Sequence, residues 1–420
     1  MTMLDDIIRA NRAGHGPALP SVCSAHPDVL TAALLLAETL DRPLLVEATS
    51  NQVNHSGGYT GQTPADFIAS LRTQSDGLGV APERLIFGGD HLGPQAWKDQ
   101  PADRAMAEAK LMIRAYVQAG FTKIHLDCSE GCSGEAAALP DGPAAARAAE
   151  LAQVAEDAAP DPGALRYVIG TEVPPPGGAR HDDEGIAPTP PDRAAATMRA
   201  HADAFDALGL QDAFARVRGL VVQPGLEFAP AHIDHFPMDG ADDLSTMLGP
   251  YPDLCFEAHS TDYQKPEVFP ELGRRNFAIL KVGPALTFAW REAVYALSHA
   301  DIWRVGGPHL SLLMEDIMTK TPGYWEGHYH GTPADQRIMR HFGYADRIRY
   351  YWTNEAVMQA VADIKSRIDA APAPAPLLAQ YLPAATLARA RTLDLPPATA
   401  ILVAHVQQAL LPYFGDPTAC

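Results

Sequence analysis

The chain has 420 residues, 47% of them hydrophobic and 20% charged, the composition of a globular protein and not of a disordered or fibrous one. Its 51 acidic against 32 basic residues give a formal charge of -19, a field that repels nucleic acid and anionic membranes and obliges any phosphorylated ligand to find a local cation or backbone N–H site. Five scattered cysteines (Cys23, Cys128, Cys132, Cys255, Cys420), no signal-peptide core in residues 1–12 and no apolar run near the roughly 20 residues of a membrane span point to a reducing, cytoplasmic setting.

Short apolar or β-branched runs then alternate with helix-like segments. Residues 20–24 form the first run and residues 43–48 the second, which carries Glu47 and ends in Ser50, Asn51 and Gln52. A glycine stretch follows, in which Gly58 either lets the backbone approach a substrate oxygen or phosphate or simply makes a flexible turn. The third run, residues 85–89, stops at an adjacent acid and imidazole, Asp90 and His91. Residues 123–127 form the fourth, with Asp127 and Ser129 at its end; His125, between Ile124 and Leu126, reads as a structural histidine. The fifth, residues 167–171, leads to Glu172 and two Pro/Gly-rich stretches at 174–178 and 188–191 that read as a lid-like loop.

Residues 220–223 end at Gln223, residues 255–259 at His259, Ser260, Thr261 and Asp262, and residues 277–282 carry Lys281 and precede Gly283 and a helix with Arg291. Helical and aromatic segments follow, interrupted by a stiff Ala/Pro linker at 371–376. Eight runs with seven helical crossovers predict an α/β fold, a (β/α)8 TIM barrel over residues 1–310 with a C-terminal helical extension packed on it over residues 311–420. No solenoid-type repeat is present.

There is no G-x-G-x-x-G after a strand and no P-loop, so dinucleotide redox chemistry and P-loop phosphoryl transfer have no support. The polar strand ends instead coincide with the edge where barrel active sites are built. Any one of them alone reads better as a turn or capping residue; eight together do not. His91, Glu172 and His259 are candidate ligands of an open divalent metal site, and Glu47, Asp90 and Asp127 candidate proton-transfer groups. Ser50, Asn51, Gln52, Gly58, Ser129, Gln223 and Asp262 are candidate substrate contacts, and Ser260, Thr261, Gly283 and Arg291 lie where barrels commonly hold phosphate. Lys281 is an alternative catalytic centre through a Schiff base. Cys128 and Cys132 have no matching second pair and do not suggest a zinc site.

Ser21-Val22-Cys23-Ser24-Ala25-His26-Pro27, Gly88-Gly89-Asp90-His91-Leu92-Gly93-Pro94, Glu257-Ala258-His259-Ser260-Thr261-Asp262-Tyr263, Lys281-Val282-Gly283-Pro284 and Asp346-Arg347-Ile348-Arg349-Tyr350-Tyr351-Trp352 resemble segments of the GatZ/KbaZ family, essentially end to end. The resemblance implies one of two roles. One is an accessory subunit stabilising a class II tagatose-bisphosphate aldolase; the other is a tagatose-6-phosphate 4-epimerase of galactitol and related carbohydrate catabolism. A more distant likeness to class II aldolases implies a divalent cofactor, zinc first, with magnesium, manganese, nickel or cobalt as other candidates, and aldolase activity releasing triose products as a third role. Those aldolases use three histidine ligands, whereas Gln223 and Glu172 stand near where further histidines are expected. The implied partners are a sugar phosphate, an aldolase subunit or a second copy of the chain.

Overall fold

The computed structural model describes residues 2–15, 18–171 and 186–415. Glu172, Cys420 and the stretch 174–178 lie outside the described residues. Six parallel strands, β1 (Leu19–Cys23), β2 (Leu44–Thr49), β3 (Leu85–Leu92), β4 (Lys123–Leu126), β5 (Arg166–Ile169) and β6 (Val217–Val221), are followed by a two-residue-per-strand hairpin, β7 (Glu227–Phe228) with β8 (Ile233–Asp234). Strands β9 (Cys255–Ala258) and β10 (Phe277–Val282) complete a closed barrel in the order β1-β10-β9-β6-β5-β4-β3-β2. The expected eight-stranded barrel is therefore present, with β3 running three residues further than its sequence run. Between β6 and β9 the hairpin and a short 3-10 turn at Leu244–Leu248 replace a crossover helix.

Alternation along each strand explains the layers, because successive side chains point to opposite faces. In β2, Leu44, Val46 and Ala48 join the apolar shell under the helices, while Leu45 belongs to a separate cluster inside the barrel with Leu19, Ile86, Cys255 and Ile279. Helix α1 (Met3–Arg12) closes the bottom of that interior. Its Thr2–Asp5 capping box fixes the start, and Leu4 and Ile8 pack into the inner cluster. Asp5 also receives hydrogen bonds of 2.7 and 2.6 Å from Arg166 on β5 and one of 2.7 Å from Arg218 on β6, tying the plug to the strands.

The outer ring is α2 (Pro27–Thr39), α3 (Pro64–Gly77), α4 (Ala102–Ala119), α5 (Asp141–Ala158), α6 (Pro191–Ala207), α7 (Gln211–Phe214), α8 (Val268–Arg274) and α9 (Pro284–Val305). Pro188–Pro191 does not remain loop throughout, since Pro191 opens α6 at a position where its missing N–H costs nothing. Beyond the barrel come α10 (Leu310–Lys320), α11 (Pro333–Phe342), α12 (Glu355–Ala370), α13 (Ala375–Leu378), α14 (Ala384–Ala390) and α15 (Pro397–Leu410). The expected linker at 371–376 is a short connection whose last residues begin α13. Helix α15, apolar on most sides, packs against both α2 and α9. Among the described residues no helix is long and apolar enough to cross a membrane.

Candidate active site

Adjacent strands β3 and β4 and the end of β9, which β5 and β6 separate from β4 in the barrel, bring imidazoles to one place. The rings of His91, His125 and His259 have centroids 5.2, 5.0 and 5.1 Å apart, a nearly equilateral triangle at the C-terminal mouth of the barrel. A triangle of this size matches the roughly 2 Å metal–nitrogen bonds of an ion held by three imidazoles. His91 takes a left-handed φ of 47° where the pairing of β3 with β4 shifts between Gly89 and Leu92. A non-glycine residue keeps that conformation only where its surroundings hold it.

Each ring is anchored by its own carboxylate. His91 Nδ1 lies 2.7 Å from Asp127 Oδ2, His125 Nδ1 3.1 Å from Asp90 Oδ1, and His259 Nε2 3.0 Å from Glu257 Oε1. Donation from one nitrogen leaves the lone pair of the other for a metal, the arrangement that orients ligating histidines. On His125 that other atom, Nε2, is buried without a hydrogen-bond partner. Burial pushes His125 below its ordinary pKa, and burial with Lys281 pushes His259 down to about 3, so both rings are neutral and able to ligate. Asp90, His125, Glu257 and His259 offer ligand atoms all within 4.8 Å of one another, a buried group able to hold a metal ion. His125, expected to be a structural histidine, thus joins the candidate metal-holding group.

Beneath the imidazoles lies a sealed charge network. Lys123, with no exposed surface, pairs with Glu47 and lies 3.0 Å from Glu257. Lys281 pairs with Glu47 and Asp90 and lies 3.6 Å from Glu257. Gly88 makes room for this layer, because a Cβ there would come within 2.5 Å of Glu47 Oε1. Burial disfavours the charge on Asp90, yet His91, Lys281 and His125 outweigh it and hold the carboxyl well below its usual range. For Lys281, burial is likewise outweighed by Asp90, Cys23, Glu47 and Glu257, which keep the ammonium protonated far above the ordinary value.

The network opens into a cavity of 860 Å³ whose wall includes Asp90, His91, His259 and Lys281, together with Asn51, Gln52, Ser260, Asp262 and Gly283. Other candidates lie off that wall. Glu47 sits one layer below, and Asp127 is spent on His91 and on the N–H and hydroxyl of Ser129, at 3.0 and 2.6 Å. Ser50 is fully buried, with its N–H on Asp90 O at 3.1 Å. Gln223 Oε1 accepts from the N–H groups of Gly225 and Leu226, which makes it a turn residue. Thr261 donates 2.6 Å to Lys281 O and bonds Tyr413, pinning the turn after α15 to the barrel. Arg291 lies over the rings of Phe288, Tyr295 and Phe342, with Nε and Nη2 buried and unpaired.

Two expected backbone anion sites are occupied by the protein itself. The Gly58 N–H goes to Asn54 Oδ1 at 3.1 Å, and those of Gly57, Tyr59 and Thr60 to loop carbonyls. The N–H groups of Gly283 and Ala285, at the start of α9, both go to Asp262 Oδ1, at 3.0 and 2.8 Å. Burial raises this Asp262 carboxyl to about 6. The helical extension supplies the far wall of the cavity through Arg349, Tyr350, Trp352 and Lys365, although the aromatic character of Tyr350 and Trp352 alone suggests core.

A (β/α)8 barrel with carboxylate-backed histidines and a buried lysine at its mouth has the architecture of a barrel enzyme with a group of residues able to hold a metal ion. Residues 4–418 match the family model described as D-tagatose-1,6-bisphosphate aldolase subunit GatZ/KbaZ-like, and the chain belongs to that family. It is 47% identical over 416 residues to a D-tagatose 6-phosphate 4-epimerase of Agrobacterium fabrum (strain C58 / ATCC 33970), covering 98% of this chain and 97% of the relative. A crystal structure described as a probable tagatose 6 phosphate kinase from Sinorhizobium meliloti 1021 superposes with a TM-score of 0.86 at 45% identity, covering 95% of this chain and 99% of that one. The fructuronate-tagaturonate epimerase UxaE from Cohnella laeviribosi shares the fold, with a TM-score of 0.52 at 12% identity over 95% of this chain and 81% of its own.

Proposed function

We propose that the chain interconverts D-tagatose 6-phosphate and D-fructose 6-phosphate by breaking and re-forming the C3–C4 bond. The observation that carries this reading is the set of three imidazoles, each backed by a carboxylate, one of them Asp90, at a cavity walled by Asp90, His91, His259 and a protonated Lys281. The two sugars differ only in the configuration at C4. Removal of the C4 hydroxyl proton lets the C4 oxygen form a carbonyl while the C3–C4 electron pair moves to C3 and onto the C2 oxygen. That gives glyceraldehyde 3-phosphate and the enediolate of dihydroxyacetone. The aldehyde turns its other face, C3 attacks it, and the C4 oxygen recovers its proton; no oxidant enters. The 47% identity to a 4-epimerase supports the same substrate pair.

Asp90 is the residue assigned to carry that proton, since it lies on the cavity wall and is held ionised. Lys281 supplies positive charge to oxygens that become negative, and Glu47 and Glu257 hold it there. Its protonated state disfavours the Schiff-base route, which needs a free amine. His91, His125 and His259 would hold a divalent metal; three imidazoles favour zinc, nickel or cobalt over magnesium. When bound, such an ion polarises the C2 carbonyl, a contribution of several kcal/mol. In this reading residues 1–310 are the catalytic barrel and residues 311–420 a helical extension that walls its mouth, and the enzyme works in the cytoplasm.

Incubating the purified protein and divalent metal with tagatose 6-phosphate, then resolving ketohexose and triose phosphates, tests the assignment. Fructose 6-phosphate without free trioses is the expected result. Accumulating trioses would make it an aldolase. No turnover, with stimulation of a class II aldolase subunit, would make it an accessory protein.

A further inference from the structure

We propose that Arg349, contributed by the helical extension, is the anchor for the substrate's phosphate. The inference rests on the sugar-phosphate reading above and deepens it. A chain of formal charge -19 must offer a phosphate dianion a specific site, and the structure narrows where that site lies. In the glycine loop after β2 the N–H groups of residues 56–60 are spent on Asn54 and on the loop's own carbonyls. At the mouth of β10, where barrels often bind phosphate, the Asp262 carboxylate already takes the N–H groups of Gly283 and Ala285. A second anion there would face a like charge.

Three lysine or arginine side chains lie on the described cavity wall, Lys281, Lys365 and Arg349. Lys281 is engaged by Glu47 and Asp90. Lys365 lies 3.3 Å from Asp28. Arg349 has no carboxylate within salt-bridge distance among the described residues. Its Nη1 donates to the carbonyls of Ala345 and Asp346 at 2.6 and 3.0 Å, and its Nη2 to Tyr350 Oη at 2.9 Å. These contacts leave donors of the five-donor guanidinium for a ligand.

The guanidinium is also held in place. It lies 4.5 Å from the centroid of the Tyr350 ring, which meets Tyr59 of the glycine loop edge-on at 4.7 Å. A fixed, planar cation on the cavity wall with no carboxylate in salt-bridge contact is suited to a phosphate, which it can grip with two parallel hydrogen bonds. The extension would thereby set the specificity for a phosphorylated sugar, while the barrel performs the chemistry.

The test is calorimetric titration of inorganic phosphate into the full-length, metal-loaded protein, with Arg349→Gln, Arg349→Lys and Lys365→Gln compared to wild type. Loss of charge-assisted hydrogen bonds should weaken phosphate binding about 30- to 100-fold in R349Q and by about tenfold in R349K, with K365Q within about threefold of wild type. With tagatose 6-phosphate, R349Q should raise KM by a similar factor while kcat changes less. Phosphate affinity unchanged in R349Q, equal loss in K365Q, or no phosphate binding by wild type would each overturn the assignment. If R349Q does not fold, R349K decides, an unchanged affinity and KM counting against the proposal. Should wild type bind phosphate through Arg349 yet turn over no ketohexose phosphate, the functional reading fails and the anchor stands.

Discussion

One nitrogen of His125 has two neighbours it cannot serve together. The His91 N–H points at Nδ1 from 3.2 Å, and Asp90 Oδ1 lies 3.1 Å from the same atom. If Nδ1 accepts from His91, the ring proton sits on buried, unpartnered Nε2, at a cost of about 1–3 kcal/mol. If Nδ1 donates to Asp90, the Nε2 lone pair faces the other two imidazoles and a metal satisfies it. The proteins His91→Ala, His125→Ala and His259→Ala should therefore fold, lose most of their metal and lose turnover. Elemental analysis against circular dichroism checks this; a folded His125→Ala protein with full metal content would remove it from the ligand set. Asp90→Asn should lower kcat about 10²- to 10⁴-fold, whereas Asp127→Asn, acting through the orientation of His91, should lower metal affinity about 10- to 100-fold. Equal metal binding and turnover by both variants would sink this division of roles. Most of these residues were legible in the sequence as strand-end acids and histidines. His125 and Glu257 are masked in the sequence by flanking apolar residues, which hide the period of two that sends Lys123, His125 and Asp127 inward and Ile124 and Leu126 outward.

Elements show the same contrast between pattern and context. The eight barrel strands were visible because each is a short apolar run bounded by turn residues. The hairpin Glu227–Phe228 with Ile233–Asp234 was not, since two residues per strand carry no periodicity. Strand β3 outran its expected end because the bulge at His91 keeps the chain paired through Leu92, which local composition does not announce. Nor does composition reveal that the amphipathic α1 is a plug, a role set by contacts with strands far along the chain. Truncating Ile8, only 1% exposed, to Ala should cost about 2–5 kcal/mol of stability while leaving kcat unchanged well below the melting temperature. Denaturant unfolding alongside steady-state kinetics reads both; a loss of kcat without loss of stability would place α1 in the catalytic machinery instead.

At the scale of the whole molecule, buried neutral histidines make the fold sensitive to acid. Burial lowers His26 to about 4 and His259 to about 3, and depresses His125, His201 and His341 as well. In each case the unfolded ring takes up a proton near pH 6.5 while the folded ring resists it, so stability is intact above that pH and lost as pH falls toward the folded values. His91, raised by Asp90 and Asp127 against the effect of burial, works the other way. The melting temperature of chelator-treated protein should therefore fall steadily between pH 6.5 and 4. A flat profile over that interval would mean these rings are solvated.

The order of the chain gives the cavity wall a further consequence. All eight barrel strands are complete by Val282, but Arg349, Tyr350, Trp352 and Lys365 come 67 to 83 residues later, and α15, which packs on α2 and α9, later still. During synthesis a nascent chain thus possesses its full sheet and all three imidazoles while the mouth still lacks one side. Chemistry that depends on keeping a reactive triose fragment from escaping can begin only after the last helices have emerged from the ribosome and docked.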